Sequence, residues 1–178
     1  MIKSLLTAFL LGGLFSTAAR AQHHGHHGGA GNPYAALAGR EVKALSAENM
    51  ADLREGRGMG LSLPAELNGH PGPKHVLELA DGLGLTPVQR QKTTELFDLM
   101  KVEAVTLGAR LITEEHALET LFTATGATLD ATKQAVHAVA RTQGELRFVH
   151  LKDHLLMAAA LTPAQSRRYA ELRGYVKQ

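Results

Sequence analysis

Two histidines, His150 and His154, stand four residues apart in a stretch of helical periodicity, and Met157 follows three residues later. On a helix that spacing turns both imidazoles to one face, near enough to share an ion. Imidazole with thioether suits borderline transition metals such as Zn, Cu, Ni or Co. Glu103 falls on the apolar line of the preceding helical stretch, where an unpaired carboxylate would be costly. Folding the two stretches against each other about residues 126–127 sets Glu103 opposite His150, and Asp98 or Leu99 opposite His154. Glu103, His150, His154 and Met157 are therefore the candidate ligands for a divalent transition metal. The same folding sets His116 opposite His137, with Glu115 and Glu119 near, as a secondary metal pair. His23, His24, His26 and His27 lie in a His- and Gly-rich run (QHHGHHGGAGNP, 22–33) that would chelate metal loosely in any context. Each has a plainer reading. A histidine near a helical seam is more often packed or solvated than ligating, and a seam Met is more often core filler. His70 and His75, which flank Pro71-Gly72-Pro73, read as structural.

Catalytic patterns are wanting. Gly56-Arg57-Gly58-Met59-Gly60 resembles a phosphate loop only in its glycines, with no Lys-Ser/Thr behind it and no strand before it. Neither G-x-S-x-G nor H-E-x-x-H occurs, and with no Cys there is no thiol nucleophile, thiolate metal site or disulfide framework. The expectation is a protein that is not an enzyme.

The metal-capable residues need elements to hold them, and the first 21 residues are not among those. Lys3, the apolar run Leu5–Phe15 and Ala19-Arg20-Ala21 have the form of a cleavable export signal. The run is too short to span a bilayer, so a periplasmic location is expected rather than a membrane anchor. Removing that segment takes away Lys3 and Arg20, which reduces 19 basic residues to 17 against 17 acidic ones. A neutral mature chain offers no basic face for nucleic acid. Residues 22–39 read as a disordered tail and 40–178 as a single domain, all-α because Leu, Ala and Val dominate an aromatic-poor chain with no period-two alternation.

Within that domain one pattern occurs twice: Leu85-Thr86-Pro87-Val88-Gln89 and Leu161-Thr162-Pro163-Ala164-Gln165. Each is a helix start. Thr caps the third amide, Pro occupies the first position without wasting a donor, Gln reaches back to the Thr amide, and Leu staples the entry. Steps of three and four predict one long helix from Pro87 to about Ala124, along Leu96, Met100, Glu103, Leu107, Leu111, Glu114, Leu118 and Leu121. A second, capped by Thr128 or Asp130, runs to about Ala160 along Val136, Val139, Gln143, Leu146, His150, His154, Met157 and Leu161. A short helix from Pro163 to about Tyr175 folds back. Before the pair lie a short helix capped by Ser46 and ending at Gly56, and another opened by Pro73. The predicted architecture is a long antiparallel helical hairpin with short flanking helices, a hooked four-helix arrangement.

An export signal, an all-α chain and two L-T-x-x-Q motifs together resemble the Spy/CpxP superfamily of periplasmic proteins, including its heavy-metal-associated ZraP- and CnrX-type members. The likeness is most specific at 85–89 and 161–165 and extends over about 40–175; Leu53–Gly60 and Ala65–Pro73 also look like segments of that group. It implies a hooked helical hairpin, often a homodimer, without catalysis. Its members either hold unfolding client proteins without ATP, bind divalent metal as sensors or buffers, or regulate a membrane sensor kinase. In the sensor type a His precedes, by four residues, a Met that stands just ahead of the last helix. Here Met157 holds the Met place, Asp153 the His place, and His154 lies one residue later.

Overall fold

The structure, a computed structural model, describes Asn32 and residues 34–175 of the chain. The export-signal segment and the four tail histidines fall outside the described residues. The described residues from Ala36 onward form one compact unit. Its helices are α1 (Ala47–Glu55), α2 (Leu63–Glu66), α3 (Pro73–Glu78), α4 (Pro87–Thr123), α5 (Leu129–Ala160) and α6 (Pro163–Leu172). No strand occurs among the described residues, and no helix there is long and apolar enough to cross a membrane.

The helix ends follow from local chemistry. Ser46 accepts from the Asn49 amide to open α1, and Gly56 closes it in the left-handed conformation (φ 64°). Thr128 accepts from the Ala131 amide to open α5. Both repeated motifs form capping boxes: Thr86 with Gln89 at the start of α4, and Thr162 with Gln165 at the start of α6. The sequence does not signal α2, a four-residue helix between α1 and α3, and α6 ends at Leu172 rather than near Tyr175.

The repeat has a second role that no single copy discloses. The Gln89 amide nitrogen donates to the Gln165 side-chain oxygen at 2.9 Å, and the Gln165 nitrogen donates back at 3.0 Å. Gln89 also donates to the Ala160 carbonyl at 3.1 Å and Gln165 to that of Leu83 at 3.4 Å. The two helix starts are thus clasped side by side. Beneath them Leu85 and Leu161 join Val76, Ala80, Leu83, Leu96, Met157 and Tyr169 in one apolar cluster.

With 37 and 32 residues, α4 and α5 span about 55 and 48 Å. They pack along each other, while α1 and α3 lie on α4. Toward the hairpin loop, Leu53 of α1 joins Ala104, Leu111, Val139 and Leu146 in a second cluster. The seam departs from the sequence expectation in a way that matters for the site. On α4 it passes through Met100, Ala104, Gly108 and Leu111. Glu103 is not on it: its side chain is 49% exposed and pairs with Lys152 at 2.7 Å, so it does not face His150 across the interface. The cause is α1. At Gly108 a methyl group would collide with the Leu53 carbonyl, so Ala104 and Gly108 are the small residues that admit α1, and they set which line of α4 is covered. On α5 the buried line includes Thr142 and Val149, while Val136 and Gln143 are exposed and Leu99, expected opposite His154, is 65% exposed.

Candidate functional site

Glu66, the last residue of α2, is 5% exposed, and six groups converge on it, the most distant being Arg173 Nε at 3.7 Å from Oε1. Oε1 accepts from the Tyr169 hydroxyl at 2.5 Å and the Tyr175 hydroxyl at 2.9 Å, with His75 Nδ1 at 3.3 Å. Oε2 accepts from the Gly72 amide at 3.2 Å, with His154 Nδ1 at 3.6 Å. Burial by itself would raise the Glu66 pKa, but bonds from His75, Tyr169 and Tyr175 outweigh it and hold the carboxyl at about 2. Burial and the same carboxylate push the Tyr169 hydroxyl upward, so it remains a donor.

Several local features bring these partners in. Asn68 bonds back to the Pro64 carbonyl, and Gly69 turns the chain with φ 81°. The buried Pro71-Gly72-Pro73 then leads into α3. Past α6, Gly174 (φ 70°) lets the Tyr175 amide bond the Ala170 carbonyl and returns the Tyr175 ring toward Glu66.

His154 is fixed from the same loop. Its Nδ1 lies 2.7 Å from the His70 carbonyl. A carbonyl only accepts, so Nδ1 carries the proton and Nε2 of the neutral ring keeps its lone pair. Backbone fixing of one nitrogen is how proteins orient a ligating imidazole. Burial lowers the pKa of His154 despite the bond to His70, and burial with the neighbouring His154 lowers that of His150. His150 is 3% exposed, and its Nε2 has no hydrogen-bond partner. Beside His154 the backbone is that of Gly72, where a Cβ would come within 2.6 Å of Nε2.

Both histidines line a cavity of about 480 Å³ walled by the Gly56–Gly60 loop, the start of α3, and Phe97, Met100 and Lys101 of α4. No family model, curated protein or solved structure matches the chain. The cavity's chemistry therefore rests on its own residues.

Of the four residues singled out from sequence, the structure brings His150 and His154 to one cavity but not the other two. Glu103 is engaged with Lys152, and Met157, 0% exposed, is enclosed in the apolar cluster beneath the glutamine clasp. His116 and His137 are exposed; the His116 ring reaches Thr120 Oγ1 at 3.5 Å. Among the described residues no group of three or more His, Asp or Glu side chains is arranged to hold a metal. Sequence reasoning missed Glu66, Met100 and the two tyrosines. The tyrosines carried a usable signal: the chain has three Tyr and no Trp, and two of the three meet on one carboxylate.

Proposed function

We propose that this chain is a non-catalytic periplasmic protein of envelope or metal stress, of the Spy/CpxP kind, that binds a transition metal of the Zn, Cu, Ni and Co group as a sensor or buffer. The observation that carries the reading is the imidazole pair. His150 and His154 are buried at helix spacing in one cavity, His154 has its tautomer set by the His70 carbonyl, and His150 Nε2 is unpartnered. An unpartnered buried nitrogen is costly unless something binds it. The burial-lowered pKa values keep both rings neutral, the form that ligates metal. Calorimetric metal titration of the full chain, with His23, His24, His26 and His27 replaced by Ser to silence the tail, tests this. One equivalent should bind, and His150→Ala with His154→Ala should abolish it. Binding unchanged in the double variant would sink the reading.

A second reading has its own observation. Leu99 (65% exposed), Val102 (67%), Phe148 (63%) and Leu155 (56%) are large apolar side chains in solvent on the two long helices. Such a surface supports ATP-independent holding of unfolding clients. That reading expects suppression of aggregation of a denatured client at near-equal ratio with metal chelated. A client that aggregates at its unassisted rate counts against it.

A further inference from the structure

We infer that the His150–His154 cavity is built for monovalent copper, with the Met100 thioether as third ligand. This rests on the metal-binding reading above and narrows it to one ion.

Glu66 lines the cavity, but its oxygens are taken by Tyr169, Tyr175 and the Gly72 amide. Glu55, also on the wall, is paired with Arg57 at 2.6 Å. No third His, Asp or Glu among the described residues completes a set around the two imidazoles. A tetrahedral Zn site with three or four nitrogen and oxygen ligands is therefore not what these side chains offer.

Sulfur is what remains. Met100 lies on the α4 seam, is 8% exposed, and lines this cavity with both histidines. It belongs to neither apolar cluster, unlike Met157, which is sealed in the first; Met59, which also lines the cavity, packs on the second. Two neutral imidazoles and a thioether make an uncharged, soft set of low coordination number. Cu(I) accepts such a set, whereas divalent ions of the series call for more ligands or anionic ones.

Charge points the same way. Arg57, Lys74 and Lys101 stand on the cavity wall against Glu55 and Glu66, an excess of one positive charge, so a singly charged ion meets half the net repulsion of a doubly charged one.

The test is anaerobic competition on the full chain carrying the four tail His→Ser replacements, using bicinchoninate for Cu(I) and a chromophoric chelator for Zn(II), with X-ray absorption on the copper-loaded protein. Cu(I) should bind one to one and about a hundredfold or more tighter than Zn(II). The copper spectrum should contain a sulfur scatterer. Met100→Leu, close in volume and expected to keep the fold, should remove that scatterer and weaken Cu(I) about tenfold or more, with Zn(II) unchanged. Zn(II) binding as tightly as Cu(I), or a copper spectrum without sulfur in the parent protein, overturns the copper assignment while leaving a metal-binding His pair in place. A sulfur scatterer that survives Met100→Leu overturns Met100 as the ligand. Binding of both ions that ignores His150→Ala with His154→Ala overturns the parent reading as well.

Discussion

Asp153 is 2% exposed on α5, and its Oδ2 has no hydrogen-bond partner. Burial pushes its pKa up to about 6, Lys152 opposes the rise and Glu103 adds to it. The native state therefore holds a proton between about pH 4 and 6 that the unfolded chain has already lost, so stability falls as pH rises through that window. Asp153→Asn should stabilise the protein by about 2 kcal/mol at pH 7 and hardly at all at pH 4, read from urea unfolding at both values. Glu66 works in the opposite sense. Its pKa of about 2 lies below the ordinary value, so its contribution is complete above about pH 5 and is lost as pH falls toward 2. Glu66→Gln should cost about 3 kcal/mol at pH 7 and flatten the acid limb of stability, which unfolding midpoints from pH 5 to 2 would register. At this scale the sequence discloses what depends on near neighbours. His150 and His154 are legible because four residues of helix fix their relation. Glu66 is not, because the tyrosines that define it lie 103 and 109 positions away.

Helix starts were readable wherever a cap was local: Ser46, Thr86, Thr128 and Thr162 each bond an amide three residues on. The seam between α4 and α5 was readable only in part. Over 37 residues the apolar side chains of α4 satisfy more than one line, and α1, admitted by Ala104 and Gly108, decides which is covered. That selection turned Glu103 toward Lys152 and left Met100 facing the histidines' cavity. The repeated motif was legible as two caps, while the bonds between Gln89 and Gln165 are tertiary and belong to neither copy. Gln89→Ala and Gln165→Ala should each destabilise, and the double variant by less than the sum. A coupling of about 1 kcal/mol in a double-mutant cycle by urea unfolding is expected, and strict additivity would mean the clasp carries no energy.

On the scale of the molecule, α4 and α5 run the full length of the hairpin, while the cavity sits toward the end opposite its loop, where α2, α3 and α6 gather. The clasp, the first apolar cluster and the Glu66 network all tie α6 to that end. Tyr169→Phe with Tyr175→Phe should therefore speed amide hydrogen exchange in α6 by about tenfold or more while leaving the loop end of α4 and α5 unchanged, as mass spectrometry of exchanged peptides would reveal. The same wiring bears on the order in which the protein is made. A ribosome delivers Glu66 early, and the hydroxyls that satisfy it follow only after both arms of the hairpin have emerged. Until then the Glu66 carboxylate lacks the two hydroxyl donors that reach it from beyond the hairpin. The paired helices can come together first, so a nascent or truncated chain would already display the long apolar faces while Glu66 still waits for its last donors.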